Sequence, residues 1–317
     1  MSSGQPKVLT FGETMGLCAS AGFGAFAHQP AAAVSFGGAE SNVAIGLQRL
    51  GIPTTWVSRL GDDLIGRMIL RGLRAEGVDV RASVDPVRPT GFMLKERTSA
   101  SETNVLFYRA GSAASHMTPD DLPLDDLAQW DLLHITGIMP ALSDSARETT
   151  LAAVARAHDV GVPISLDINY RSRLWSQDDA AAFVREVIAR CRYVFAGDDE
   201  ARIVVAGQHE PVDLAKGLVD LGAKTAVVKL GPNGALALDG GEITVMPSVP
   251  VSQVIDTVGA GDAFVAGFLA ERLHGASIHD AMRTAVRSGA MLCEAPGDWE
   301  GAPDRSRLER SGDPVTR

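Results

Sequence analysis

The run Asp256-Thr257-Val258-Gly259-Ala260-Gly261-Asp262-Ala263-Phe264 joins a glycine turn, a carboxylate and the start of a helix. Glycine allows a tight turn and lets a ligand come close to the backbone. The first N–H groups of a helix have no intrahelical acceptor, so they can receive an anion. Asp262 at that positive end can accept the proton of an attacking hydroxyl. The N–H groups of Gly259, Ala260 and Gly261 can then stabilise charge on a phosphoryl group in transfer. Taken alone, an Asp in such a position is more often a plain helix cap, so the chemistry needs support from elsewhere in the chain.

That support lies far upstream. Phe36-Gly37-Gly38-Ala39-Glu40-Ser41-Asn42-Val43-Ala44 leads through Leu50-Gly51 to Gly61-Asp62-Asp63-Leu64-Ile65-Gly66. The two runs, in this order, resemble the signatures of the ribokinase-like (PfkB) carbohydrate kinases over nearly the whole chain. The resemblance implies Asp262 as catalytic base, ATP as phosphoryl donor, Mg2+ at the phosphates and K+ as a further candidate. It also implies sugar hydroxyls held at Gly37, Gly38 and Asn42, and a homo-oligomer of two or more copies.

The chain has 317 residues, 45% hydrophobic and 21% charged, which suits a folded enzyme-sized protein. A formal net charge of -10 argues against a nonspecific nucleic-acid binder. No stretch approaches the roughly 18 uncharged apolar residues of a membrane span, and Met1 to Pro6 lacks a leader's charge and apolar pattern. A cytoplasmic protein is the default expectation. Cys18, Cys191 and Cys293 are widely spaced and odd in number, so they read as buried thiols rather than a disulfide framework or zinc set. The seven histidines form no metal-binding pair at helical spacing.

These residues need a scaffold. Val8 to Phe11, followed by Gly12-Glu13, reads as a buried strand ending at a site-forming turn. Asn42 to Leu50 carries apolar residues at helical spacing, and Thr54 to Ser58 reads as the next strand. Further strand runs fall at Leu132–Ile135, Ile164–Asp167, Tyr193–Phe195 and Thr225–Lys229, separated by amphipathic segments. The pattern predicts an α/β fold with a mostly parallel central sheet and helices on both faces. Ligands of such sheets bind beyond the C-terminal strand ends. Thr90 to Glu96 and Asn104 to Arg109 predict a hairpin out of step with this rhythm. The resemblance accounts for it as part of a small β-sheet lid, with segments 12–36 and 88–110 inserted into one domain, 1–317. The loop Gly22 to Ala27 is rich in glycine and alanine, and the polar end after Ala302 reads as a fraying tail.

There is no Walker A sequence, because Ala223 separates Gly222 from Lys224. Lys229-Leu230-Gly231-Pro232-Asn233-Gly234 resembles the family's strand-end turn beside the nucleotide, which makes Lys229, Gly231 and Gly234 candidates along with Gly259 and Gly261. A hairpin turn explains the same residues nearly as well. Where the family often has Asn-x-x-Glu, this chain has Gly197-Asp198-Asp199-Glu200. Glu200 is the indirect metal candidate, Asn is missing, and Asp198 or Asp199 reads as a substitute ligand or as a solvated helix start. The helix around Ala281 to Met291 is expected beside adenine.

Substrate choice rests on Phe107-Tyr108-Arg109-Ala110-Gly111-Ser112-Ala113 and Asp167-Ile168-Asn169-Tyr170-Arg171-Ser172-Arg173-Leu174-Trp175. Both resemble segments of kinases for 2-keto-3-deoxygluconate, an anionic sugar. Guanidinium groups offer paired donors to a carboxylate, so Arg109 and Arg171 are the candidate receptors. Tyr108 is a candidate for packing on the sugar, and Glu13 is a lesser one. The expected reaction is ATP-dependent phosphorylation of the terminal hydroxyl of that acid. A kinase for a neutral sugar such as fructose or ribose, or a noncatalytic sugar or nucleotide sensor on the same fold, stands as the alternative.

Overall fold

Val8-Leu9-Thr10-Phe11 is buried along its whole length, which requires a strand covered on both faces. It forms β1 (Val8–Phe11), an interior strand of the large sheet of a computed structural model that describes residues 4–22, 24–28, 31–98, 103–205, 207 and 210–310. The chain continues through β2 (Met15–Ser20), β3 (Ala32–Gly37), α1 (Ala39–Arg49), β4 (Thr54–Gly61), α2 (Leu64–Ala75) and β5 (Asp79–Asp85). Then come β6 (Phe92–Arg97), β7 (Thr103–Tyr108), β8 (Leu132–Thr136), α3 (Asp144–Asp159), β9 (Ile164–Asp167) and α4 (Gln177–Val187). The last part holds β10 (Tyr193–Gly197), α5 (Asp198–Val205), α6 (Pro211–Asp220), β11 (Thr225–Lys229), β12 (Ala235–Asp239), β13 (Glu242–Met246), α7 (Ala260–Leu273), α8 (Ile278–Cys293) and α9 (Arg305–Glu309).

The large sheet has the order β13-β12-β11-β10-β9-β8-β1-β4-β5. Its pairs are parallel from β5 to β11, and β12 enters antiparallel. The turn Gly231 to Gly234 therefore closes the β11–β12 hairpin, with Leu230 N–H donating to the Gly234 carbonyl at 2.8 Å. From β1 the chain builds outward to β4 and β5, then returns to β8 on the other side. That reversal opens a crevice beyond the C-terminal ends of β1 and β8, where ligands of open α/β sheets bind.

The expected out-of-step hairpin is β6–β7, which pairs antiparallel. With β2 and β3 it makes a second, four-stranded sheet of order β3-β2-β6-β7. The connection at residues 99–102 and Phe23 in the glycine-rich loop lie outside the described residues. The end after Ala302 does not fray at once: Asp304 caps α9, and Leu308 packs against the core on one side of the large sheet. Residues 311–317 lie outside the described residues. Of the thiols, Cys191 is buried, and burial pushes it up to about 12; Cys18 and Cys293 are half-buried.

Helix α7 is buried nearly all round from Asp262 to Ala270, because it is wedged between α1 and α8. Close approach depends on small residues. A Cβ added at Gly46 of α1 would lie 2.7 Å from Ala266 Cβ, and one at Gly267 would meet Ser288 Oγ at 2.7 Å. A Gly46→Val chain should lose about 1–3 kcal/mol to overpacking, read as a lower denaturant midpoint with an unchanged slope.

Candidate active site

The two signatures meet at the α1–α7 contact. Asn42 and Gly46 lie one turn apart on α1, and so do Asp262 and Ala266 on α7. Asn42 Nδ2 donates to Asp262 Oδ2 at 2.8 Å, and Asn42 Oδ1 accepts from Gly38 N–H at 3.4 Å. Asp262 is 8% exposed. Burial pushes its carboxyl from 3.8 up to about 7; Asp167 adds to this, while Asn42, Arg171 and Lys229 oppose it. A proton acceptor tuned near neutrality suits general-base work.

Gly259 precedes α7 with φ 81, in the left-handed region, and a Cβ there would come within 1.8 Å of the Asp298 carbonyl oxygen. Both facts require glycine. The structure corrects one part of the expected anion hole. Ala260 N–H is turned back to the Thr257 carbonyl at 3.3 Å, closing the turn. Among the described residues, the N–H groups of Gly259, Gly261 and Asp262 have no acceptor, so these three are the free donors.

Lys229, at the end of β11, donates to Asp167 Oδ1 and Oδ2 at 2.8 and 3.0 Å. A Cβ on Gly261 would sit 3.6 Å from its Nζ, so the ammonium lies beside the free amides. Burial works against that charge, but Asp167 and Glu200 outweigh it and hold the Lys229 pKa above its ordinary value. Burial raises the Glu200 carboxyl, which Lys229 opposes. Glu200 takes the N–H of Gly197 at 2.7 Å and of Tyr170 at 2.9 Å, fixing the loop after β9 to the end of β10.

One cavity of about 1030 Å³ gathers these groups, lined among others by Glu13, Gly37, Gly38, Asn42, Arg109, Asp167, Arg171, Glu200, Lys229, Gly259, Gly261 and Asp262. Besides Ala260, four candidates fall elsewhere. Gly231 and Gly234 do not line it, since they shape the hairpin turn. Tyr108 is 61% exposed on β7; strand alternation turns it outward and puts Phe107 in the cavity wall instead. Asp198 is paired with Arg202 at 2.7 Å, while Asp199 faces the cavity. Arg109 donates Nε to Glu13 Oε2 at 2.6 Å, and Ser112 donates to the other Glu13 oxygen. Arg171 is exposed in the cavity, and among the described residues its guanidinium has no hydrogen-bond or ion-pair partner.

Sequence reasoning missed Glu40, Lys95 and Asp298. Glu40 is fully buried at the start of α1, accepts from Thr136 Oγ1 at 2.5 Å, and its carboxyl occupies the space a side chain on Gly12 would need. Burial pushes it up to about 7. The signal for Lys95 was its parity with Met93 on an alternating strand. Magnesium takes one or two carboxylates, phosphate oxygens and water rather than a protein cage. Asp199 and Glu200 on the cavity wall fit that donor set, although no cluster of three or more metal-binding side chains occurs among the described residues.

The model of the pfkB family carbohydrate kinases matches residues 5–305. A 2-dehydro-3-deoxygluconokinase of Bacillus subtilis (strain 168) is 35% identical over 303 residues, covering 95% of this chain and 93% of that protein. A 2-dehydro-3-deoxygalactonokinase of Haloferax volcanii is 34% identical over 281 residues, 87% of this chain and 88% of its own. Among solved structures, a putative ribokinase II from E. coli in complex with ATP and Mg2+ superposes with TM-score 0.88 at 25% identity, covering 96% of this chain and 98% of that one. The chain thus belongs to the pfkB family and has its ribokinase-like α/β fold. It is a carbohydrate kinase. Among the described residues no helix is long and apolar enough to cross a membrane.

The raised Asp262 pKa has a measurable cost. The protonated form is favoured in the fold, so the destabilisation grows as pH rises from about 4 to about 7 and is constant above. Asp262→Asn should therefore gain melting temperature over the parent, by more at pH 8 than at pH 5. With Asp262 as the base, its ionised form is the active one, and kcat/KM of the parent should fall as pH drops below about 7. Asn42→Leu removes an opposing hydrogen bond and should move that acid limb to higher pH.

Proposed function

We propose that this chain is a 2-dehydro-3-deoxygluconokinase that transfers the γ-phosphoryl group of ATP to the terminal hydroxyl of the sugar acid. The observation that carries the chemistry is Asp262, buried with a proton affinity near neutrality and set among the unpartnered N–H groups that open α7. The hydroxyl proton passes to Asp262 as the substrate oxygen bonds to the γ-phosphorus and the bond to the β,γ-bridging oxygen breaks, releasing ADP. The N–H groups of Gly259 and Gly261, with the Lys229 ammonium beside them, take up charge on the phosphoryl oxygens. Asp199 and Glu200 are the carboxylates on that wall that would hold Mg2+, which would supply neutralisation of phosphate charge there.

The acid is read by guanidinium groups. Arg171 offers a group with no protein acid on it, so it is the principal carboxylate receptor. Arg109 has Nε and Nη2 committed to Glu13, and its remaining nitrogen supports the same end of the sugar. Gly37, Gly38 and Asn42 line the wall where sugar hydroxyls are held. The relatives from Bacillus subtilis and Haloferax volcanii, both named for kinases of keto-deoxy acids, support this reading. We take the enzyme as cytoplasmic and homo-oligomeric, with Val34, Leu106 and Tyr108 exposed on the second sheet as the apolar contact surface. The K+ implied by family resemblance is tested by turnover in KCl against choline chloride.

The deciding experiment compares kcat/KM for 2-keto-3-deoxygluconate, its galactonate epimer, fructose and ribose with ATP and Mg2+. Preference for the gluconate acid supports the reading, whereas a neutral sugar as best substrate removes the carboxylate receptor. Asp262→Asn should lose about 10²–10⁴-fold in kcat while keeping ATP affinity. Near-parental turnover would dismiss Asp262 as base. Arg171→Leu should lose roughly 10–100-fold in kcat/KM for the acid, the value of a charge-assisted hydrogen bond, and little for a neutral sugar.

A further inference from the structure

The second sheet reaches the phosphoryl-transfer wall through one buried lysine. Along β6 the inward positions are Met93 and Lys95, both buried, as strand alternation dictates. Lys95 is 2% exposed; its Nζ lies 2.5 Å from Asp256 Oδ2 and 3.0 Å from Asp298 Oδ1. Both acids touch the anion hole. Asp256 Oδ1 accepts the Val258 N–H at 3.1 Å, which ties down the turn entering Gly259. The Asp298 carbonyl packs against Gly259, and its carboxyl lies 2.3 Å from where a Gly37 side chain would begin. The next position of the same parity, Arg97, donates Nη2 to the Ile255 carbonyl at 2.7 Å.

A buried ammonium between two buried carboxylates has a structural consequence. Without the cation, two like charges would face each other out of water, and the loops carrying them would separate or take up a proton. These loops are the 256–259 turn and the segment at Asp298, which together set the backbone of the anion hole. The lysine comes from neither loop but from a strand of the other sheet.

We propose that Lys95 is a positioning residue for phosphoryl transfer: by holding Asp256 and Asp298 together it fixes the turn that aims the Gly259 and Gly261 amides, so the anion hole is correctly shaped only while β6 is seated on it. The inference rests on the assignment of Asp262 and these amides to phosphoryl transfer. Lys95 acts through the two acids, with its ammonium spent on them. Its loss therefore lowers kcat and leaves substrate affinities nearly alone.

The test uses the full chain with 2-keto-3-deoxygluconate, ATP and Mg2+, comparing the parent with Lys95→Ala, Lys95→Arg and Asp262→Asn, each checked for folding by thermal melt. Lys95→Ala should lose about 100-fold in kcat, the scale of a misplacement of about 1 Å, with both KM values within about threefold. Ammonium or methylammonium chloride should restore at least about tenfold of that loss, relative to tetramethylammonium chloride at equal ionic strength. Lys95→Arg, which keeps the charge, should retain most of the kcat. Turnover of folded Lys95→Ala near the parental level, a loss confined to KM, or no rescue by small amines would overturn the inference. If Lys95→Ala does not fold, Lys95→Met, which removes the charge but keeps the bulk, takes its place: a lowered kcat with unchanged KM supports the role, and an unchanged kcat refutes it. Asp262→Asn separates the two levels. If it stays active, the underlying assignment fails; if it is inactive while Lys95→Ala is normal, only the positioning role fails.

Discussion

The active site depends on keeping an ionisable carboxylate out of water without neutralising it outright. Asp262 is buried at the start of α7, and burial would by itself favour the protonated acid. The amide of Asn42, the helix terminus and the cations at Lys229 and Arg171 pull the other way. The balance falls near neutral pH, where a base can both accept and release a proton. The surrounding wall obeys the same constraint, since Lys229 lies between Asp167 and Glu200, which together keep its buried ammonium charged.

Such a balance needs rigid backbone, and the packing supplies it. α7 has almost no solvent face, so its N-terminus cannot shift without moving α1 and α8. The α1–α7 contact carries the Asn42–Asp262 hydrogen bond and the Gly46–Ala266 approach on successive turns. One close packing surface thereby joins the two ends of the chain and sets the distance from Asn42 to the carboxylate. Gly259 does the same for the turn, as only a residue without Cβ fits beneath the Asp298 carbonyl.

The second sheet closes the other side of the cavity; Phe36 of β3 packs into the apolar cluster with Trp56, Leu60, Ile69 and Leu73, and polar side chains add further ties. Its own apolar core is small, formed around Met15, Leu17 and Met93. The ties fall at functional places. Lys95 reaches Asp256 and Asp298, Arg109 reaches Glu13 at the end of β1, and Arg173 from the loop after β9 donates to the Val105 carbonyl of β7 at 2.9 Å. The surface that would cover a sugar is thus linked electrostatically to the surface that would transfer the phosphoryl group.

Local pattern was enough for much of this. β1, β9 and β11 coincide with the apolar runs at Val8–Phe11, Ile164–Asp167 and Thr225–Lys229, because a strand covered on both faces must be apolar throughout. The glycine turn before Asp262 was likewise legible, since its φ is written into the residue type. Strand alternation at Tyr108 was legible in principle, yet which parity faced inward depended on how β6 and β7 joined β2, a pairing between segments distant in sequence. The partners of the charged groups were not legible at all. Arg109 is held by Glu13, Lys229 by Asp167 and Lys95 by Asp298 across 96, 62 and 203 residues of chain. The sequence by itself determined the buried strand runs of the large sheet and the glycine turn before Asp262, because these follow from local periodicity and residue type, while the reading of Asp262 as a base came from the resemblance of two distant motifs to a family. Only the tertiary structure decided which arginine stays open to a ligand, which amides remain unpaired and what proton affinity Asp262 has, because burial and Coulomb interactions act through space.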